Sequence, residues 1–134
     1  MGTKVSTTRM KIGELADRAG VSHRTVHYYE RIGLLSPANR EGAGYRYYDE
    51  TSLKRLEKIA ALKQLGLNLD DISAVIDLYF EDPSGIKGKE RVLRILEDQL
   101  AQTLNKIAEL TTFKTDLEAN IEKIKGLIRK AYMA

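Results

Sequence analysis

The chain has 134 residues, of which 43% are hydrophobic, and a formal net charge of +3. That length is enough for one compact domain plus an extension. Because the sequence contains no cysteine, disulfides, thiolate metal sites and cysteine nucleophiles are excluded. No apolar run approaches the roughly 20 residues of a membrane span, and residues 1–10 lack the apolar core of a signal peptide.

The charge is distributed unevenly along the chain. Residues 1–67 contain 12 Lys and Arg against 7 Asp and Glu, a net charge of +5, whereas residues 68–134 contain 10 against 12, a net charge of −2. A basic half of this kind indicates a polyanionic partner such as nucleic acid.

The first elements have the order helix, glycine turn, helix. Residues 1–10 are polar and predict a flexible N-terminus. Apolar residues at helical spacing predict a helix over residues 12–19, ended by Gly20. Ser22 caps a second helix over residues 23–32, and Gly33 ends it. This arrangement is typical of a helix-turn-helix.

A loop, a short strand and two further helices follow. Pro37 and residues 39–44 predict the loop, and residues 45–48 the strand. Asp49 caps a third helix over residues 50–65, whose predicted buried residues are Leu53, Leu56, Ile59, Ala60 and Leu62. Asn68, with Asp71 in a capping-box role, begins a fourth helix, whose predicted buried residues are Leu69, Ile72, Val75, Ile76 and Tyr79.

From residue 89 onward the sequence predicts one long helix with an apolar repeat of seven residues. With Leu93 at position a, ten of the twelve a and d positions are Leu, Ile or Ala, which indicates a coiled coil. Such a helix is about 60 Å long and cannot bury its seam alone, so we expect a homodimer. The expected dimer interface contains Leu93, Leu96, Leu100, Ile107, Leu110, Leu117, Ile121, Ile124 and Ile128.

The second helix carries basic and aromatic side chains on one face. Arg24, His27, Tyr28 and Arg31 share that face by their spacing, and Val26 and Tyr29 point away from it. An α-helix fits the major groove of DNA, where such groups can contact base edges and phosphates. Beside this face, a hairpin contributes Arg40, Tyr45, Arg46 and Tyr47. Of the tyrosines, we expect Tyr29 and Tyr48 to lie in the core.

Other interpretations of these residues are weaker. A solvated basic face would not explain so many aromatic residues in the hairpin. His23 and His27 have a spacing that can bind a metal on a helix, with Glu30 as the nearby carboxylate, but no third histidine or cysteine supports a site. No hydrolase motif, phosphate loop or dinucleotide fingerprint is present. We therefore predict no catalytic residues, no metal and no cofactor.

The residues resemble the MerR-type transcription regulators. The resemblance covers residues 11–80 in detail and the coiled coil in outline, and it rests on the segments IGELA from Ile12, GVS from Gly20, RTVHYYERIGLL from Arg24, GYR from Gly44 and GLNLDDI from Gly66. It implies a mainly α fold, with a winged helix-turn-helix domain and a long antiparallel coiled-coil helix. The implied domains are a flexible N-terminus at 1–10, the DNA-binding domain at 11–82, a hinge at 83–88, the dimerisation helix at 89–131 and a tail at 132–134.

The resemblance also implies a function. Members of this family bind pseudo-palindromic promoter operators as dimers, and they bend and untwist an overlong spacer so that RNA polymerase can engage both promoter elements. The partners would be double-stranded DNA and, indirectly, RNA polymerase, and the protein would be cytoplasmic and nucleoid-associated. At matching positions, Thr25, His27 and Tyr28 of the recognition helix would contact DNA, as would Arg40, Tyr45 and Arg46 of the wing. Arg18 and Lys63 would contact the DNA backbone. We also predict a DNA contact from Ser22, the residue that caps the recognition helix.

Two departures from the family pattern stand out. The family usually has Arg where this chain has His27, so the two-pronged grip of a guanidinium is lost. The sensors of metals and redox state in this family use cysteine, which this chain lacks. We hypothesise a small-molecule effector at the hinge and the tail of the partner copy, at a pocket formed by Tyr79, Phe80, Ile128 and Tyr132.

Two other classes of function remain open at this level. An architectural DNA-binding protein without a ligand would show no response to an effector. A protein-interaction scaffold built on the coiled coil would show no preference for one DNA sequence over another.

Overall fold

The computed structural model describes residues 9–41 and 45–134, with the side chains of residues 39–46 left outside the description. Within that part, the chain forms α1 (Ile12–Ala19), α2 (His23–Arg31), β1 (Asn39–Glu41), β2 (Tyr45–Tyr47), α3 (Glu50–Gln64), α4 (Leu69–Tyr79) and α5 (Ile86–Met133). The mainly α fold with a helix-turn-helix, a small wing and a long C-terminal helix is the predicted fold class.

The predicted helix caps are present. Ser22 accepts a hydrogen bond from the Thr25 amide at the start of α2, and Asp49 accepts one from the Ser52 amide at the start of α3. Asn68 and Asp71 form a reciprocal capping box at the start of α4. At the end of α1, Gly20 adopts a left-handed conformation with φ of 71°, which a glycine takes without steric cost.

Helices α1, α2, α3 and α4 pack around one core, in which α1 contacts α2 and α3, and α3 contacts α4. The core contains most of the residues that helical spacing predicts, including Leu15, Val26, Leu56, Ile72 and Val75. Ala60 is exposed, so its predicted burial was wrong, because the buried stripe of α3 is narrower than the apolar pattern. Three leucines of the connecting segments are also buried although no helical period marks them: Leu34, Leu35 and Leu67.

The wing is a two-stranded antiparallel sheet. Its register pairs Asn39 with Tyr47, Arg40 with Arg46 and Glu41 with Tyr45. Strand β1 lies within the stretch predicted as a loop, because its pairing with β2 outweighs the low strand propensity of Asn, Arg and Glu. The predicted strand over residues 45–48 ends one residue earlier, and Tyr48 instead forms an isolated antiparallel bridge with Met10.

The bridge to Met10 alters the expected N-terminus. Met10 is fully buried, and its backbone exchanges two 2.7 Å hydrogen bonds with Tyr48. The residue that closes the predicted flexible segment 1–10 is therefore part of the fold, while residues 1–8 lie outside the described residues. The sequence did not predict this pairing, because a single β-bridge produces no periodic pattern of apolar residues.

Contacts divide the chain into two units, Met1–Arg91 and Val92–Ala134. Helix α5 begins at Ile86, so residues 86–88 of the predicted hinge are helical. In the second unit the predicted interface residues are exposed except Leu96, which is half-buried. Leu104, Phe113 and Leu127 are also exposed, so the apolar seam is wider than the predicted set. Among the described helices, none is both long and apolar enough to cross a bilayer.

Candidate nucleic-acid interface

The N-terminus of α2 is built around Ser22. The Ser22 hydroxyl oxygen accepts from the Thr25 amide at 3.0 Å, and the hydroxyl donates to the Thr25 hydroxyl at 3.0 Å. Ser22 is exposed and Thr25 is half-buried. Both predicted contact residues thus lie at the positive end of a helix dipole, where a phosphate is favoured.

One face of α2 is exposed and carries the predicted recognition residues. Arg24, His27, Tyr28 and Arg31 are all exposed, and the Arg31 guanidinium lies 5.4 Å from the centre of the Tyr28 ring. On the opposite face, Val26 and Tyr29 are buried, as predicted. The cation–π contact holds Tyr28 and Arg31 together without withdrawing either from solvent, so both remain available to a ligand.

Glu30 connects this helix to the wing. One carboxylate oxygen lies 3.2 Å from His27 Nδ1, and the other accepts from the Ala38 amide at 2.9 Å and from the Tyr48 hydroxyl at 3.0 Å. Ala38 precedes β1 and Tyr48 follows β2, so a single side chain ties α2 to both ends of the hairpin. Sequence reasoning considered Glu30 only as a metal ligand. Within the described residues no cluster of three or more metal-binding side chains occurs.

The wing lies next in the chain and carries four predicted contact residues. Strand pairing places Arg40 and Arg46 directly opposite each other. The side chains of Arg40, Tyr45 and Arg46 lie outside the described residues. Tyr47 is half-buried, and the Arg9 guanidinium lies 5.0 Å from the centre of its ring. Arg9 adds a cation beside the wing that sequence reasoning placed in a flexible end.

The two predicted backbone contacts lie on other helices. Arg18, in the last turn of α1, pairs with Glu14 at 3.7 Å and donates to the Met10 sulfur at 3.6 Å. Its side chain is still 44% exposed, which leaves part of the guanidinium accessible. Lys63 is exposed in the last turn of α3.

Arg55 is a connecting residue that sequence reasoning missed. Its Nε donates to the Leu34 carbonyl at 2.6 Å, and its guanidinium pairs with Asp77 at 2.9 Å. The same guanidinium lies 5.8 Å from the centre of the Phe80 ring, and the side chain is only 16% exposed. Arg55 therefore links the turn after α2 to the end of α4. A charged residue on a helix gives no sequence signal of such a role.

A groove of about 650 Å³ lies at the end of α4. Tyr79 and Phe80 line it, together with Lys54, Lys58 and Lys89. Burial raises the pKa of the Tyr79 phenol, and the Lys58 ammonium lies 4.5 Å from the centre of the Tyr79 ring. Of the predicted effector residues, these two aromatics lie together, whereas Ile128 and Tyr132 are exposed residues of the second unit.

The two acidic residues that line this groove, Glu81 and Asp82, form an ion pair and hydrogen bonds with neighbouring residues. Hydrogen bonds from the Ser84 hydroxyl and from the Ser84 and Gly85 amides lower the pKa of Asp82. Glu81 pairs with Lys87 at 3.3 Å. By formal charge, the three lysines that line the groove still exceed its two acidic side chains by one.

Comparison with known proteins identifies the family. Residues 10–78 match the MerR HTH family of regulatory proteins, and residues 53–119 match the MerR DNA-binding family. An uncharacterized HTH-type transcriptional regulator of Pseudomonas aeruginosa is 34% identical over 121 residues, which cover 87% of this chain and 86% of that protein. Against several other curated relatives, the chain spans less than a third of the relative's length.

Two solved structures are also similar. The transcription regulator PbrR691 from Ralstonia metallidurans CH34, solved in complex with lead(II), is 30% identical with a TM-score of 0.63 over 81% of each chain. HiNmlR, a MerR family regulator that lacks the sensor domain and was solved bound to promoter DNA, is 26% identical with a TM-score of 0.53 over 79% of this chain and 78% of that one. The chain thus belongs to the MerR family of helix-turn-helix transcription regulators, which bind DNA.

Proposed function

We propose that this protein is a homodimeric regulator that binds a pseudo-palindromic promoter operator and controls transcription by bending and untwisting the promoter spacer. The observation that carries the proposal is the pairing of an exposed basic and aromatic face on α2 with a wing held to it through Glu30. Such a rigid pair can enter the major groove and hold the adjoining backbone at the same time. RNA polymerase would then be an indirect partner, through the DNA.

The proposal of a dimer rests on the exposed apolar side chains of the second unit, Val92–Ala134. Its helix exposes a run of large apolar side chains, with Leu100 at 59% and Leu110 at 66% exposure. Exposed apolar stripes of this length mark a surface that another protein covers. A second copy, packed antiparallel, would bury the predicted seam and place two helix-turn-helix units on one two-fold-symmetric site. HiNmlR, a MerR family regulator of similar structure, was solved bound to promoter DNA, which supports the proposal that this chain binds a promoter.

The proposed domains keep the predicted order, with the DNA-binding domain at 11–82 followed by the hinge at 83–88, of which residues 86–88 form the start of α5. The dimerisation helix at 89–131 and the tail at 132–134 follow, and α5 extends into that tail as far as Met133. The proposed DNA contacts come from α2, the wing and the ends of α1 and α3: Arg18, Ser22, Arg24, Thr25, His27, Tyr28, Arg31, Arg40, Tyr45, Arg46, Tyr47 and Lys63.

Footprinting and mobility shift on the DNA upstream of the coding region test the proposal, with scrambled DNA as competitor and a series of salt concentrations. We expect protection of a two-fold-symmetric site with distortion at its centre. Weak binding that is equal on scrambled DNA and lost at moderate salt would favour an architectural protein or a coiled-coil scaffold instead.

Two substitutions divide the contacts into classes. Arg46→Ala should weaken binding to all sequences and reduce the magnitude of the salt slope by about 2, because each copy in the dimer would lose one phosphate contact. Thr25→Ala should instead change the preferred sequence. Equal effects of both variants on operator and random DNA would contradict this division.

We also propose that a small molecule acts at the groove of Tyr79 and Phe80, completed by Ile128 and Tyr132 of a second copy. The net positive formal charge of the groove lining, three lysines against two acidic side chains, favours an anionic compound. Replacing Tyr79 and Tyr132 together should abolish any ligand-dependent change in transcription. An unaltered response in the double variant would reject this site.

A further inference from the structure

His27 is held in one orientation by the carboxylate of Glu30, which is largely shielded from solvent. Its Nδ1 lies 3.2 Å from Glu30 Oε1, and the histidine side chain is 50% exposed whereas the glutamate side chain is 9% exposed. The other oxygen of Glu30 accepts from the Ala38 amide and the Tyr48 hydroxyl. Because those two donors belong to other parts of the fold, the carboxylate is fixed in place, and the imidazole bound to it is fixed as well.

The geometry determines which ring nitrogen carries the proton. A carboxylate only accepts hydrogen bonds, so Nδ1 of His27 must be the protonated nitrogen in the contact with Glu30. A neutral imidazole has one donor and one acceptor nitrogen. Nε2 is then an acceptor, on the half of the ring that Glu30 does not hold. The guanidinium groups one helical turn away, on Arg24 and Arg31, can only donate.

An acceptor in the major groove distinguishes bases by their exocyclic groups. Adenine N6 and cytosine N4 present donors there, whereas guanine O6 and thymine O4 present acceptors. We propose that Glu30 makes His27 an amino-base reader, which selects adenine or cytosine over guanine or thymine at one position in each operator half-site. Glu30 is a positioning residue in this scheme. The inference rests on the proposed binding of α2 in the major groove.

Selection of binding sites from a randomised operator library tests the proposal, with the buffer kept mildly alkaline to favour the neutral imidazole. We expect the wild-type protein to prefer A or C at one half-site position by roughly threefold to tenfold, the contribution of one neutral hydrogen bond. His27→Ala should abolish that preference and leave the other positions unchanged. His27 is exposed, so the variant is expected to fold.

Two further variants sharpen the result. His23→Ala removes the other histidine of α2, which is also exposed, and should leave the amino-base preference intact. Glu30→Gln replaces the carboxylate by an amide that can also donate, which frees the other imidazole tautomer, so the preference should weaken in the full-length protein. Circular dichroism and thermal melting of each variant separate this effect from loss of the fold.

The possible outcomes distinguish a failure of this inference from a failure of the proposed function on which it rests. Operator binding with no position altered by His27→Ala would overturn the inference and leave the proposed function standing. A His27-dependent preference for G or T would also overturn it, because that result requires a donating Nε2. Binding without any sequence preference in the wild-type protein would reject the proposed function itself.

Discussion

Gly88 lies directly under the Tyr79 ring. A Cβ built at Gly88 would clash with Cδ2 of Tyr79 and would lie 2.6 Å from Cγ, so no larger residue fits while the ring stays in place. Gly126, in the same helix, has no heavy atom within 4 Å of a built Cβ. The two glycines therefore have different reasons to be present, although both are in regular helix.

The same substitution at both positions tests this difference. Gly88→Ala should lower the free energy of unfolding by about 1–3 kcal/mol, since the ring of Tyr79 must move. Gly126→Ala should raise it by about 0.5–1 kcal/mol, because alanine has the higher helix propensity. Urea denaturation at one fixed protein concentration measures both. Equal shifts in the two variants would mean that the Tyr79 ring adapts without cost.

At the scale of the element, α2 depends on its cap. The Ser22 hydroxyl oxygen accepts a hydrogen bond from the Thr25 amide at the N-terminal end of α2, the helix that is proposed to face DNA. A cap residue and a DNA contact make different demands on a side chain. The cap needs only an oxygen acceptor, whereas the DNA backbone repels negative charge.

Two replacements of Ser22 separate these roles. Ser22→Ala should lower the free energy of unfolding by about 1 kcal/mol, because the acceptor is lost. Ser22→Asp should keep the stability near that of the wild type but weaken DNA binding, because its carboxylate caps the helix and repels phosphate. Thermal melting and mobility shift measure the two properties. Wild-type affinity in Ser22→Asp would show that this helix end does not approach the backbone.

At the scale of the whole molecule, α5 requires a partner. Its 48 residues make a helix about 72 Å long. Ile107, at a predicted a position, is 54% exposed in the single chain. Asn105, two residues earlier, falls at position f, which faces away from the seam of a coiled coil.

A charge at each of these positions tests the seam. Ile107→Glu should convert a dimer to a monomer in sedimentation analysis and weaken operator binding by roughly tenfold or more, because the two half-sites are no longer bound together. Asn105→Glu adds the same charge outside the seam and should leave the dimer intact. Dissociation in both variants, or in neither, would contradict the assigned heptad.

The sequence by itself determined the helices, their caps and most of the core. Local hydrogen bonds and apolar spacing decide these features, so Ser22, Asp49 and Asn68 mark helix starts in the chain as printed. The family resemblance added the winged helix-turn-helix domain and the DNA-binding function; the structure contains the two-stranded wing, and the comparisons support DNA binding. The individual DNA contacts and the effector pocket stay predictions.

Only the tertiary structure decided the links between elements. Glu30 meets Ala38 and Tyr48, and Arg55 meets Leu34 and Asp77, across gaps in sequence that carry no periodic signal. Strand β1 and the Met10 bridge also form only through distant partners. A periodic pattern reports which face of an element is apolar, but a polar bridge depends on where the packed elements bring two single groups together. For that reason the orientation of His27 is apparent in the fold and not in the sequence.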